Sequence, residues 1–376
     1  YVANQAIKLL NNDFKAKMST QAVDVNLFGD VRIQGLKIED VKGVNFIKSR
    51  DFKASSVLFS INSNPNDIKF RSNTLTNADI KVVTYKNDSV SNFIKYLDHF
   101  STSKKKKTGV FQMNTRLYLL DSKVSIVNQN HEGDQGKWLI ADHVNLKVPT
   151  LKVNGSDVFA QINNFSFNTK RWGKVNKIET FSTDFSLTKK SLILKDLTFN
   201  TDHSLLIGDI TFHLNPETGW QDFADKVRLE FNLKKGSQLS GYDISYFVTN
   251  WDNYKPFALS GKMNGPLNKF YLEDFQIGNR QVAINTTTLK ATNLLKGNVI
   301  IETNHLTTDL TYIDLKAMLP TFVSSKMKNF ADEFGRLKYN GAVRVTPKEI
   351  FVPTANLITG IGQARISNFY LDDFST

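Results

Sequence analysis

The sequence has no cysteine, and that absence removes a disulfide framework, cysteine-ligated zinc and cysteine nucleophiles together. Compartment stays open, because zero cysteine fits the cytosol and the cell envelope alike. No run approaches the ~20 consecutive apolar residues of a membrane-spanning helix, and no signal peptide opens the chain. It begins at Tyr1 and stops at LDDFST inside a strand-like pattern. This reads as a segment of something longer, so a missing targeting signal says nothing about destination. Twenty Gly and eight Pro are too few for a disordered linker. The six histidines are scattered, without H-x-x-x-H or H-x-H spacing for a metal. Neither a G-x-S-x-G elbow nor a P-loop is present. NQNHEGDQG (128–136) has the glycine of a calcium loop, but Leu139 stands where the closing Glu belongs, and it reads as a polar hairpin loop. TGIGQA (359–364) precedes a strand-like stretch where a dinucleotide loop requires a helix. No catalytic constellation assembles, so the expectation is a protein that is not an enzyme and needs no metal or cofactor.

What is present points to strands. Of 376 residues, 40% are hydrophobic and 22% charged, enough apolar mass for a large core. Twenty-eight are Phe, which favours strands. Asn, Thr and Lys fill the intervening positions, as on a solvated sheet face. A net charge of +12 fits nucleic acid, an anionic membrane surface or plain solubility. Its one dense cluster, Lys104–Lys107, reads as a polar loop. The functional alternative is contact with anionic lipid headgroups, worth ~1 kcal/mol per lysine near such a surface. Nucleic acid is not expected as a partner, since Arg runs with stacking aromatics and helix-turn-helix or RNP-type motifs are missing.

The organising signal is a repeated break in alternation. In FYLEDFQI (270–277), Phe270 and Leu272 share a strand face and so do Phe275 and Ile277, but parity changes across Glu273-Asp274. The break recurs in LKDLTF (194–199), INNFSF (162–167) and ISNFYL (366–371). Looser relatives are IEDVKG (38–43), TNADIKV (76–82) and ATNLLKG (291–297), and Gly35 interrupts VRIQGLKIED in the same way. A regular strand would send its two halves to opposite faces. A β-bulge instead absorbs one residue, keeps both halves on one face and bends the strand. Hairpin turns between very short strands are a third reading. One or two polar residues per slip, of types that tolerate local strain, favour the bulge. Many bent strands side by side predict a mainly β fold, a long curved antiparallel sheet of about 18 strands running roughly 85 Å. A closed β-sandwich would use the same residues, and the pattern alone leaves the two open.

Helical stripes are few. Val90, Phe93, Ile94 and Leu97 share a face in 88–100, and Ile244, Phe247, Val248 and Trp251 do so around 242–251. A pair over 313–334, broken at Pro320, turns Phe322, Val323, Met327 and Phe330 inward. All read as short helices packing over the sheet or plugging its end. The resulting grouping is an N-terminal helix (1–18), a first set of strands (19–235) with the helix at 88–100, and a second set (236–376) with the remaining helices.

Several stretches carry a family likeness. YVANQAIKLLNNDFKAKMSTQAVDVNLFGDVRIQGLKIEDVKG, LLIGDITFHLN, ALSGKMNGPLNKFYLEDFQI, and LTYIDLKAMLP followed by FGRLKYNGAVRV together resemble the membrane-proximal part of the TamB family. These are inner-membrane subunits of the translocation and assembly module, within the broader AsmA-like group. The likeness spans essentially the whole chain and rests on strand and glycine patterns. It implies a repeating β-groove, taco-shaped in section, in the periplasm of a Gram-negative envelope. It implies an inner-membrane anchor and an outer-membrane TamA-like barrel partner, both engaged through regions outside this segment. Conduction of phospholipid between the membranes follows from it, with scaffolding of outer-membrane protein assembly by strand templating as the alternative. On the groove reading, acyl chains lie against Val31, Ile33, Leu36, Ile38, Ile162, Phe165, Phe167, Leu194, Leu197, Phe199, Phe270, Leu272, Phe275, Ile277, Ile366, Phe369 and Leu371.

Overall fold

The computed structural model describes residues 17–26, 30–55, 67–68, 71–101, 112–171, 174–246, 251–280, 282–294, 296–318, 321–324 and 335–372. The chain forms two compact units, 1–188 and 189–376; the sequence-based grouping at 235/236 divides it differently.

The first unit contains β1 (Met18–Ser19), β2 (Ala22–Val25), β3 (Val31–Glu39), β4 (Asn45–Ser55) and β5 (Asp67–Ile68). It continues with β6 (Ser72–Thr84), β7 (Gln112–Asn128), β8 (Lys137–Asn154), β9 (Asp157–Arg171) and β10 (Lys174–Leu187). From β3 the ladder runs β4–β6–β7–β8–β9–β10, with β1 and β2 along the free side of β3 and β5 on β7. Two pairings depart from the antiparallel expectation: β5 and β6 both run parallel to β7. A parallel pair needs a crossover, and the connecting segment holds α1 (Asn92–Ser101).

The second unit contains β11 (Ser191–Thr201), β12 (Leu205–His213), β13 (Arg228–Leu233), β14 (Gln238–Ser240), β15 (Pro256–Gly265) and β16 (Lys269–Gly278). After these come β17 (Ala283–Thr292), β18 (Ile300–Thr311), β19 (Arg336–Val345), β20 (Glu349–Thr359) and β21 (Gly362–Asp372). Neighbours are antiparallel throughout, and β13 and β14 share the place between β12 and β15.

Parity slips prove to be bends within strands. Asp196, Asp274 and Asn368 take left-handed backbone, φ +50°, +47° and +52°, and so do Gly35 at +62° and Asn77 at +49°. At INNFSF four residues of β9, Ile162 to Phe165, face three of β10, Phe181 to Thr183. Two looser matches are turns instead. Gly43 N–H donates to the Asp40 carbonyl and Lys296 N–H to that of Asn293, each closing a hairpin connection. Asp121 and His143, at φ +44° and +48°, mark slips in β7 and β8 that the Asx pattern overlooked. The decisive observation is which way the halves point. Ile33, Leu36 and Ile38 form one cluster across Gly35. Leu75 with Ala78, Leu119 with Val124, and Ala141 with Val144 share another across Asn77, Asp121 and His143. Both halves of each strand therefore stay on one face.

The slips are in register from strand to strand and form a crease across each ladder. Gly35 lies between the pairs Gln34–Asp51 and Leu36–Ser49, and Asn77 between Asp51–Thr76 and Ser49–Ala78. Where a strand runs straight through, as β12, β15 and β19 do, a glycine stands at the crease. A Cβ on Gly261 would sit 2.6 Å from Phe275 Cα, and one on Gly341 2.4 Å from Ala355 Cβ. Pro149 and Pro353 both occupy register shifts, the one place within a ladder where a missing N–H is tolerated.

α1 docks through polar groups. Asn92 Nδ2 donates to Asp40 Oδ2 at 3.1 Å and to the Lys81 carbonyl at 3.0 Å, while its Oδ1 accepts from Val83 N–H. That anchor turns the helix so that Tyr96, one turn on, packs on Phe46, ring centres 5.4 Å apart, and burial pushes its hydroxyl up to about 12. Val90, ahead of the helix, and Ile94 are exposed, and Phe93 is exposed while still meeting Phe46 at 6.1 Å, which corrects the inward stripe. The expected helix at 242–251 is four residues long, Gly241–Ile244, capped by Ser240, whose hydroxyl accepts from Tyr242 N–H at 3.1 Å. Of 313–334, helices cover Tyr312–Met318 and Thr321–Ser324. Residues 1–16, Lys104–Lys107, Phe247, Val248, Met327, Phe330 and the side chains of Leu97, Phe322 and Val323 lie outside the described residues.

Two outcomes follow from this architecture. Gly341→Ala forces a methyl into β20 and costs about 1–3 kcal/mol in urea denaturation; an unchanged midpoint contradicts the crease packing. For Asp40, burial pushes the carboxyl up, but hydrogen bonds from Tyr85, Asn92 and the Val44 and Lys42 N–H groups outweigh it and hold it below its ordinary value. Its support is thus present above that value and lost as pH falls through the folded-state one. The stability difference between wild type and Asp40→Asn should shrink as pH drops below about 4; a constant difference contradicts the assignment.

Candidate functional site

Each unit presents one apolar face, assembled from both halves of its creased strands. Val31, Ile33, Leu36 and Ile38 lie with Met18, Val23, Ile47, Phe52 and Tyr96. Phe165 and Phe167 join the larger cluster, rings 4.8 Å apart, and Phe181 meets Phe165 edge-on at 6.2 Å. Ile162 is half-buried beside them. In the second unit Leu197 is buried, and Leu194, Phe199, Phe270, Leu272, Phe275, Ile277 and Ile366 are half-buried. Phe369 and Leu371, on the last strand, are exposed.

These side chains lean on ladder neighbours. Every member of the larger cluster comes from β4, β6, β7, β8 or β9, which are consecutive in the ladder. Among the described residues Phe46 is the one Phe fully withdrawn from solvent, 3% exposed. Two sheets closed over one another would bury their inward rings, whereas here the rings are covered on the flanks and open above.

A line of buried hydroxyls holds the crease from the apolar side. Ser122 Oγ donates to the Leu120 carbonyl and accepts from Ala78 N–H, both at 3.1 Å. Ser49 Oγ donates across its slip to the Asp51 carbonyl at 3.0 Å. In the second unit Thr286 Oγ1 donates to the Thr288 carbonyl at 3.0 Å and lies 2.9 Å from Thr303 Oγ1, which accepts from His305 N–H. The bonds within a strand each span the slip residue and satisfy a backbone group that the ladder has released. The sequence signal was available: a Ser or Thr at an apolar-face position beside a slip.

The opposite face is ionic. Arg32 pairs with Asp51 at 2.9 Å, and its hydrogen bond holds that carboxyl below its usual value. Glu302 meets Lys290 at 3.4 Å and Arg344 at 3.3 Å. Two shallow cavities lie on this face. One of 420 Å³ is lined by Asp30, Arg32, Lys53 and Thr74, the other of 520 Å³ by Tyr271, Lys290, Glu302, Arg344 and Phe351. Of the predicted lipid-facing residues, Val31 alone lines either. An open apolar strip encloses no volume.

Among the described residues, no three His, Asp or Glu stand together as metal ligands, and no helix is long and apolar enough to cross a membrane. The 128–136 stretch is a tight loop, closed by Asn128 N–H on the Gly136 carbonyl at 2.7 Å, with Asp134 paired to Lys137 at 3.1 Å. TGIGQA is the hairpin turn joining β20 to β21.

Removing the Ser122 hydroxyl strands Ala78 N–H in a dry position. Ser122→Ala should cost about 1–3 kcal/mol by urea denaturation, and a cost near zero would contradict the role given to that line of hydroxyls. Protein-family models, characterised proteins and solved structures were compared with the chain, and none matches it.

Proposed function

We propose that the protein is a passive conduit for phospholipid, whose acyl chains lie along the apolar face while headgroups stay in water. One observation supports this above the others: rings on both sides of each crease are packed laterally and left open above. Ordinary monomers leave roughly 300–600 Å² in their largest apolar patch, and the strip recurs on strand after strand. Acyl chains suit it because each buried methylene contributes about 0.8 kcal/mol and requires no particular partner atom. A non-directional ligand on a continuous strip can slide, which a hydrogen-bonded ligand cannot.

The TamB-like patterns of strand and glycine support reading such a strip as periplasmic, in a protein anchored in the inner membrane and reaching toward an outer-membrane barrel. On this reading the creases exist to keep the strip on one side, and the ionic face keeps the sheet soluble. Conduction requires no bond to be made or broken, so no nucleophile, base or metal is called for.

Faces separate in a crosslinking test. A photoreactive phenylalanine analogue at Phe275 should capture phospholipid in cells, and the same group at Tyr271, on the ionic face, should not. With the analogue at Phe275, Phe199→Glu should cut lipid capture by about tenfold or more, and with the analogue at Phe199, Phe275→Glu should do the same, since a carboxylate among acyl chains is costly. Equal capture at both faces, or capture unaffected by the glutamates, overturns the proposal.

A further inference from the structure

The geometry points to a second binding surface on the ionic face of the second unit, which we infer takes a linear, neutral oligosaccharide laid across the strands. It uses the side of the sheet away from the apolar strip and does not depend on the lipid reading. Five side chains stand there in one lateral row, each the ladder partner of the next: Tyr271 on β16, Lys290 on β17, Glu302 on β18, Arg344 on β19 and Phe351 on β20. Opposed residues in a ladder project to the same side, so the row is continuous. From ring to ring it crosses four strand spacings, about 19 Å. The same five residues line the 520 Å³ cavity of this face. The 420 Å³ cavity of the first unit also has charged groups, but no aromatic ring along its wall.

Stability does not account for this row. Tyr271 is 45% exposed although its strand is paired on both sides. Phe351 shares the side of Arg344, while Val352 next to it is buried on the other. Rings standing half in water add little to folding, but they offer flat platforms. Glu302 meets both Lys290 and Arg344, at 3.4 and 3.3 Å, with all three side chains partly open to solvent. Exposed pairs contribute little stability. A shared carboxylate does, however, hold two long cations in place, which lowers the cost of ordering them around a ligand. The chemistry then selects the ligand. Lys and Arg only donate hydrogen bonds and a carboxylate only accepts them, so the row reads donor, acceptor, donor between two rings. An anion would meet Glu302, and a cation would meet Lys290 and Arg344. A sugar hydroxyl both donates and accepts, and can satisfy each group in turn. The C–H face of a sugar ring lies well on an aromatic ring, whose own face is negative. An extended β-linked chain presents such rings in line, as a straight row requires.

Isothermal titration calorimetry of the whole chain tests this with two β-linked probes, cellotetraose and chitotetraose. Both should bind, and glucose, too short to reach from one ring to the other, should bind more weakly by about tenfold or more. Tyr271→Ala and Phe351→Ala should each weaken the tetrasaccharides by about tenfold. Tyr271→Phe, which keeps the ring, should retain binding and so separates loss of the platform from loss of the fold. Phe275→Glu, on the opposite face, should leave sugar binding intact, so that failure here and failure of the lipid reading are told apart. Absence of binding by either tetrasaccharide at millimolar concentration overturns the inference, as does binding that survives removal of both rings. A sulfated heparin tetrasaccharide serves as the anionic control: binding to it alone, lost steeply as salt rises, also overturns the inference, since net positive charge is then the determinant.

Discussion

Everything in this molecule depends on a parity constraint: in a β-ladder, one extra residue must be matched by the neighbour or accommodated by it. A bulge in an isolated strand would twist that strand out of its sheet. Here the neighbours bulge at the same level, as β3, β4, β6, β7 and β8 do, or offer a glycine, as Gly261 and Gly341 do where a Cβ would collide with the adjoining strand. The backbone hydrogen bonds lost at the crease are recovered by Ser49, Ser122, Thr286 and Thr303. A shared bend thus keeps apolar residues from both halves of the creased strands on one side.

That arrangement explains an unusual distribution of burial. The interior of each unit is a face, covered by lateral contacts and little else, so Phe after Phe is half-exposed while small residues such as Ala78, Ala141 and Val144 at the crease are fully covered. A buried polar pair of the first unit, Asn92 with Asp40, serves to seat α1 at one end of the face. Exposed ion pairs on the other side add little stability one by one, and their effect is to hold that side in water.

Much of this was legible in the sequence, and the failures are instructive. Alternation plus an Asp or Asn at the break located the slips at Asp196, Asp274 and Asn368, because few side chains tolerate left-handed backbone. His143 escaped because the pattern was written for Asp, Asn and Gly alone, and Arg50 because its slip is matched to those of the strands on either side. IEDVKG and ATNLLKG mimic the pattern but close hairpins, a distinction set by where the next strand begins. The parallel β6–β7 pair was invisible because alternation carries no direction. For α1 the apolar stripe was real, but a buried asparagine chose which side faces inward. Among the candidate residues, the sequence could name those on the apolar face, but not that Leu197 would be covered and Phe369 left open; that depends on position within the ladder, which periodicity does not encode.

If a crease that gathers phenylalanines on one open face exists to hold acyl chains, the protein should leave the cell with lipid on it. Native mass spectrometry of the gently purified chain measures this directly. The account predicts adducts of phospholipid mass, lost when detergent competes for the face. Repeated preparations of folded protein without any such adduct would contradict it.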